Sequence, residues 1–407
     1  MNKEIRQNST IYYQNNLLHF AGHDLSKKIS HLKTPFYLYS LNQVNNNYIE
    51  FQSLAKNYFS KYSIHYALKA NSQERILKKL NSLGCGADIV SIGEFKKAVE
   101  AGIPLSKIIF SGVGKTEEEI EYILKNFNEP IKAFNVESLD ELESINAISK
   151  KYQKITPISF RLNPGVHAKT HQHISTGGLG HKFGLSKEQI EIAVLEKTPN
   201  IKIVGLSIHI GSQLKDFSAT HQAILEIIGL IKNTQLKLEF VDVGGGLGIY
   251  YGPNDHNITL PEEYFKLVKN SLMTFFNDET LPEIVFEPGR FISGNTGVII
   301  TKVIRLKNNG HKNFVILDSA MNDLIRPALY HAYHEILPLT SHQEQNELYD
   351  FVGPICETGD FFAIDRLSAP IKKGDLLAIG NCGSYARSMA STYNAREIAP
   401  EYFIEEI

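Results

Sequence analysis

The chain has 407 residues, of which 43% are hydrophobic and 21% charged, and its formal net charge at pH 7 is −2. That length holds two domains or one large barrel with an addition, and that charge excludes the basic footprint of a nucleic-acid or anionic-membrane binder. Three cysteines (Cys85, Cys356 and Cys382) without CxxC spacing predict neither a disulfide framework nor a zinc site.

The polar stretch 1–10 lacks the apolar core of a signal peptide, and no apolar run approaches the roughly 20 residues that cross a bilayer. A cytoplasmic protein is expected. Residues 1–34 carry only isolated apolar pairs. Thr34-Pro35 then introduces the strand-like run 36–39, and the pattern from 41 to 60 is helical. From Ser63 onward a regular alternation sets in. Apolar, β-branched runs recur at 64–68, 87–90, 108–110, 131–134, 157–162, 203–208, 238–241 and 283–286, and helical stretches such as 94–101, 117–127, 138–152 and 217–231 separate them. Eight strands alternating with helices predict an α/β fold with a closed (β/α)8 TIM-like barrel over 35–285. An open doubly wound sheet is the alternative that the same alternation permits. After Arg290, β-type runs at 297–305, 314–320, 349–356 and 376–380 follow, with turn signals at Asn308-Asn309-Gly310 and Lys372-Lys373-Gly374 and one helix expected at 324–336. This texture predicts a second, mainly antiparallel β domain, sandwich- or barrel-like, built from 286–407 and 1–34.

Chemistry in such barrels stands at the C-terminal ends of the strands. The first strand ends in Tyr66-Ala67-Leu68-Lys69-Ala70-Asn71, with a lysine at the end of a buried run. Burial disfavours the ammonium, and a neutral amine is the nucleophile that Schiff-base chemistry with a carbonyl cofactor requires. A surface lysine after an edge strand is the plain alternative. The next ends bring Asp88, Ser111-Gly112, Asn135, Arg161-Leu162-Asn163-Pro164-Gly165 and His209-Ile210-Gly211-Ser212. At the seventh, Gly244-Gly245-Gly246-Leu247-Gly248 after Asp242 offers bare N–H groups that wrap a phosphate, or else a tight turn. At the eighth, Glu287 suits a protonated pyridine nitrogen or a barrel-end salt bridge, and Arg290 suits a carboxylate or phosphate. His209 suits ring stacking, base chemistry or a structural role. His167, His171, His173 and His181 have loop spacing and read as a polar loop rather than a metal site. Cys356-Glu357-Thr358-Gly359-Asp360 follows a strand of the second domain, where a buried inert cysteine is the default and a proton-donor role the alternative.

These motifs, with Phe110-Ser111-Gly112-Val113-Gly114-Lys115, Phe134-Asn135-Val136-Glu137-Ser138 and Met321-Asn322-Asp323-Leu324-Ile325-Arg326-Pro327-Ala328-Leu329-Tyr330, resemble in this order the fold-type III pyridoxal-phosphate decarboxylases, over nearly the whole chain. The branch they resemble converts meso-2,6-diaminopimelate to L-lysine and CO2, the last step of lysine biosynthesis. The resemblance implies that Lys69 binds pyridoxal 5'-phosphate as a Schiff base, that His209 stacks on its ring and that Glu287 pairs with its pyridine nitrogen. It places Ser212, Gly246, Gly289, Arg290 and Tyr385 around the phosphate or its neighbours. Arg290, Arg326, Tyr330 and Tyr385 match substrate positions, the first three at the carboxylate of the non-reacting centre. Cys356 and Glu357 match a segment that reaches a neighbouring subunit's site, Glu357 meeting the distal ammonium and Cys356 joining protonation after CO2 leaves. A homodimer with shared sites follows from that match, and no metal is expected.

Physical chemistry agrees with the substrate. Diaminopimelate carries one carboxylate more than lysine, so selecting it needs a fixed cation away from the breaking bond, which Arg326 at a helix start offers. Two segments depart from the family pattern: Gly383-Ser384-Tyr385-Ala386-Arg387, where Ala386 replaces a common glycine, and Gly177-Gly178-Leu179-Gly180-His181, which lacks the usual charges. Competing readings are a decarboxylase of another basic amino acid, a racemase of the same fold, against which Glu287 speaks, and a non-enzymatic pyridoxal-phosphate carrier, against which residues 291–407 speak.

Overall fold

The computed structural model describes residues 10–166, 176–178, 180–196, 198–214, 216–252, 260–341 and 346–407. The alternation resolves into eight strands: β1 (Tyr62–Ala67), β2 (Gly86–Ile89), β3 (Ile108–Phe110), β4 (Ala133–Val136), β5 (Thr156–Arg161), β6 (Ile201–Ser207), β7 (Phe240–Asp242) and β8 (Glu283–Phe286). All pair in parallel, and β8 returns to β1 through Ile284↔Tyr62 and Phe286↔Ile64. That last pairing makes a closed barrel and rules out the open sheet.

Several strands hand over to the next helix through a turn whose own side chain caps it. Ser91 accepts from the Glu94 N–H ahead of Ile92–Glu100, and Ser138 from the Glu141 N–H ahead of Leu139–Lys151. Thr116 and Glu119 form a reciprocal capping box ahead of Glu117–Asn126. Such turns fix the residues just past β2, β3 and β4. The interior is packed rather than open: Ile109, Ala133, Val204, Phe240 and Val285 form a buried cluster drawn from five strands. Gly205 makes room for it, because a Cβ there would meet the Phe240 ring at 2.4 Å.

Two compact units are present. The described residues of Tyr48–Gly248 and Asn257–Arg290 form the barrel unit, and those of Met1–Asn47, Ile249–His256 and Phe291–Ile407 the second. The second unit holds an eight-stranded mixed sheet running Ile336–Pro338, Leu376–Ile379, Gly297–Asn308, Asn313–Leu317, Glu347–Val352, Phe361–Ser368, with Phe36–Tyr39 between Gly297–Asn308 and Glu401–Phe403. Most pairings are antiparallel. Those of Asn313–Leu317 with Glu347–Val352 and of Phe36–Tyr39 with Glu401–Phe403 are parallel. Its core gathers Phe20, Phe36, Leu38, Val298, Ile300 and Ile404 among other buried side chains.

Two expectations need correction here, and one strand is additional to those expected. The run Phe36–Tyr39, expected at the front of the barrel segment, is a strand of the second unit and pairs with Gly297, Val298, Ile299 and Ile300. Four consecutive buried residues look alike in either sheet. The helix expected at 324–336 is only Arg326–Tyr330, because His331 takes a left-handed φ of 50° and turns the chain out of the helix. The strand Phe361–Ser368 was not anticipated. Asp365 at φ 48° and a register shift against Glu347–Val352 interrupt its alternation.

Among the described residues no helix is long and apolar enough to cross a membrane. His167, His171 and His173 lie outside the described residues, whereas the His181 Nδ1 accepts from the Gly178 N–H at 3.0 Å.

Candidate active site

Lys69 stands two residues beyond β1 and is held by backbone on both flanks. The Leu68 N–H donates to the Asp88 carbonyl at 3.0 Å, and the Ala67 N–H donates to that of Pro288 at 3.3 Å. The Lys69 Nζ lies 2.8 Å from Asp88 Oδ2, with the aspartate side chain fully buried and the lysine side chain 34% exposed. A carboxylate at that distance favours the ammonium. Lys69 is thus neither an idle surface lysine nor wholly withdrawn from solvent: it is paired with a buried carboxyl at the barrel mouth.

Glu287 follows β8 directly and is 5% exposed. Burial first, then the charges of Asp242 and Asp88, holds its carboxyl well above the usual carboxylate range. Asp242 ends β7, is fully buried, and accepts from the Gly244 N–H at 2.8 Å. Burial pushes it up to about 7. Glu287 Oε1 and Asp242 Oδ2 are buried and receive no N–H or O–H donor from elsewhere among the described residues. The two carboxyls neighbour each other and are placed to share one proton.

His209, two residues past β6, closes this cluster. Its Nδ1 is 3.7 Å from Glu287 Oε2 and accepts from the Gly245 N–H at 3.3 Å, which leaves the ring proton on Nε2. Burial, helped by the cations Lys69 and Arg161, drives the imidazole well below its usual range, so the ring is neutral. Arg161 donates to Glu137 Oε1 at 2.9 Å and to the His209 carbonyl at 3.4 Å. Glu137 also accepts from the Gly112 N–H at 2.8 Å and the Gly184 N–H at 3.1 Å. Residues 137 and 161 thus tie three loops to the His209 backbone, a role that residue type alone did not announce.

The glycine run is required by close approach. A Cβ at Gly245 would lie 2.2 Å from the Glu287 carbonyl, and one at Gly246, where φ is +105°, would lie 2.7 Å from Leu214. Beside it, the Arg290 Nε and one terminal nitrogen donate to Ser212 Oγ at 3.2 and 3.1 Å. Gly289 lies between Glu287 and Arg290, the first residue of the short helix Arg290–Ser293.

The remaining expected residues belong to the second unit. Arg326 is buried, donates to His334 Nε2 at 2.9 Å and lies 4.6 Å over the Tyr251 ring. Tyr330 ends the same short helix and is half-buried. Cys356 and Glu357 are exposed, which corrects the buried default for that cysteine. The Cys356 N–H donates to Asn394 Oδ1 at 3.0 Å, and the Glu357 carboxylate raises the neighbouring Tyr393 hydroxyl. Tyr385 adopts φ 57°, a left-handed conformation uncommon for a tyrosine, and Ala386 follows it at φ −98°. The barrel unit thus gathers Lys69, His209 and Glu287 with Asp88 and Asp242, and Ser212 with Arg290.

Residues 42–294 match a family model described as the pyridoxal binding domain of pyridoxal-dependent decarboxylases. The chain belongs to the pyridoxal-dependent decarboxylases. The diaminopimelate decarboxylase of Aquifex aeolicus is 40% identical over 403 residues, 98% of this chain and 93% of that protein. That of Vibrio cholerae is 41% identical over 377 residues, 91% of this chain and 88% of that protein. Among solved structures, the diaminopimelate decarboxylase from Helicobacter pylori complexed with L-lysine has a TM-score of 0.86 at 38% identity and covers 93% of this chain and 94% of its own. The enzyme from M. jannaschii in co-complex with L-lysine has a TM-score of 0.88 at 34% identity and covers 97% and 93%.

The residues of this pyridoxal-dependent decarboxylase fit its cofactor. The buried Glu287 carboxyl, bonded only to Asp242 through Oε1 among the described residues, suits a pyridine N–H, the close-packed glycine backbone with Arg290 and Ser212 suits a phosphate, and Lys69 at the end of β1 suits an aldehyde. Without the cofactor, the buried carboxyls are a liability. Asp242 moves from an ordinary value of 3.8 to about 7 on folding, so between those values the folded state binds more protons and stability falls as pH rises. Asp242→Asn is expected to stabilise the cofactor-free protein by about 2–4 kcal/mol at pH 8, with less than half that gain at pH 5. Urea titrations at the two pH values check this, and an equal gain at both would show that charge is not the cause.

Proposed function

We propose that this protein decarboxylates meso-2,6-diaminopimelate to L-lysine and CO2 with pyridoxal phosphate, completing lysine biosynthesis in the cytoplasm as a homodimer with shared sites. The relatives' names and the lysine bound in two neighbouring structures support the substrate. The observation that carries the reaction type is Glu287, a buried carboxyl at the mouth of β8 whose Oε1, apart from the pairing with Asp242, receives no hydrogen bond among the described residues. Bound pyridoxal phosphate supplies an electron sink for the pair left at Cα as CO2 departs. Glu287 holds the proton at the ring nitrogen that keeps this sink effective. Lys69 holds the cofactor through its amine, and neutral His209 offers a flat face for the ring without adding a charge beside it.

Arg326 supports the choice among amino acids. A buried, planar guanidinium is suited to the carboxylate of the non-reacting centre, with Tyr330, Tyr385 and Arg290 as further substrate contacts. The exposure of Cys356 and Glu357 supports their service to a second copy, Cys356 delivering a proton to Cα and Glu357 receiving the distal ammonium.

The test is CO2 release from the loaded enzyme with a substrate panel. Diaminopimelate is expected to exceed lysine, ornithine and arginine in kcat/KM by about 10²-fold or more. Equal or better turnover of any of the three would refute the substrate assignment.

A further inference from the structure

We propose that His334 is a positioning residue for substrate selection: it sets the plane of the Arg326 guanidinium, toward a substrate carboxylate, without adding a counter-charge of its own. The inference rests on the function proposed above and names a residue that neither the motifs nor the resemblance singled out. His334 is fully buried. Its Nδ1 meets the Gly380 carbonyl at 2.8 Å and its Nε2 meets an Arg326 terminal nitrogen at 2.9 Å. A carbonyl only accepts and a guanidinium only donates, so these partners select the neutral tautomer with hydrogen on Nδ1 and a lone pair on Nε2. The ring is a one-way link from Gly380 to Arg326.

The link is stiff at both ends. Gly380 follows the strand Leu376–Ile379, which pairs with Ile336–Pro338, and the Gly380 N–H donates back to the Glu335 carbonyl at 2.8 Å. The His334 carbonyl accepts from Arg366 at 3.0 Å. Tyr251 packs against both partners, 4.6 Å from the Arg326 guanidinium and 5.2 Å from the His334 ring. The left-handed turn at His331 brings His334 back onto the first residue of the helix it has just left. Cys382 lies 3.9 Å from His334 Nδ1, and burial pushes its thiol up to about 12, so it contributes no anion.

The choice of an imidazole has a chemical reason. A carboxylate in its place would orient the guanidinium equally well and cancel its charge. A neutral acceptor orients the fork and adds no anion to compete with a ligand for it.

The experiment measures binding of two ligands to the holoenzyme by competition against diaminopimelate turnover. L-lysine carries a carboxylate, and 1,5-diaminopentane is the same chain without one. His334→Asn keeps a donor for Gly380 but is too short for Arg326, whereas His334→Gln reaches Arg326 with its amide oxygen. The Asn variant is expected to weaken L-lysine about tenfold and leave 1,5-diaminopentane unchanged, the effect of losing one hydrogen bond to a charged group. The Gln variant is expected to stay within about threefold of wild type for both. Equal weakening of both ligands, or unchanged lysine binding in the Asn variant, would overturn the positioning role. Failure of wild-type holoenzyme to turn over diaminopimelate would instead overturn the function on which the role rests.

Discussion

Lys69→Ala is expected to abolish cofactor attachment and lower decarboxylation by about 10³-fold or more. The side chain is asked both to hold the cofactor covalently and to move protons at the reacting centre, and loss of a general acid–base group alone removes about 10²–10⁴-fold. It follows Ala67 and Leu68, whose backbone bonds to Pro288 and Asp88 fix where the side chain starts. Borohydride treatment of loaded wild-type protein should fix the cofactor to the peptide containing Lys69, as read by mass spectrometry. A Lys69→Ala protein that still yielded a reducible, covalently fixed cofactor would sink the assignment. The ion pair with Asp88 adds a finer expectation: the amine must leave a 2.8 Å contact before it reacts, so the aspartate is part of how the lysine is released.

Glu287→Ala should reduce turnover by about 10²–10³-fold, the usual consequence of removing one preorganised electrostatic partner from a dry site. The reduction should fall mainly on kcat, because the group stabilises charge that develops as CO2 leaves rather than binding the substrate. Asp242 complicates any conservative replacement. With Glu287→Gln, the amide can donate to Asp242, and the shared proton is no longer needed to keep that aspartate comfortable. Glutamine should therefore fold as well as wild type and still lose most of the rate. Steady-state kinetics on cofactor-loaded variants check both, and a Gln variant within about threefold of wild-type kcat would remove Glu287 from the chemistry.

Much of the barrel could be read from the chain because its period is local. All eight strands and several of the helices between them appear as alternating runs, and the rule that chemistry follows strands brought out Lys69, His209 and Glu287 before any contact was known. What stayed hidden depends on contacts far apart in sequence. Asp242 looks like any strand-ending aspartate until Glu287, 45 residues later, stands beside it in the interior. His334 sits in an unremarkable His-Ala-Tyr-His run, and only the left-handed turn at His331 gives it Arg326 as a partner. The strand Phe361–Ser368 was obscured by the kink at Asp365, which breaks the period that identifies a strand. Exposure of Cys356 could not be read from its residue type, since free cysteines are usually buried.

The route of the chain through its second unit has a consequence for synthesis. The barrel strands run without interruption from Tyr62 to Phe286, each beside its sequence neighbour until the last meets the first. The mixed sheet, by contrast, sets Phe36–Tyr39 between Gly297–Asn308 and Glu401–Phe403. On a ribosome delivering about 5–20 residues per second, the early strand waits many seconds for its first neighbour and longer for its second. During that interval four consecutive apolar residues with unpaired backbone are available to any passing strand edge. Nascent chains of this protein should need shielding over that interval, and the demand should end only after Phe403 has been made.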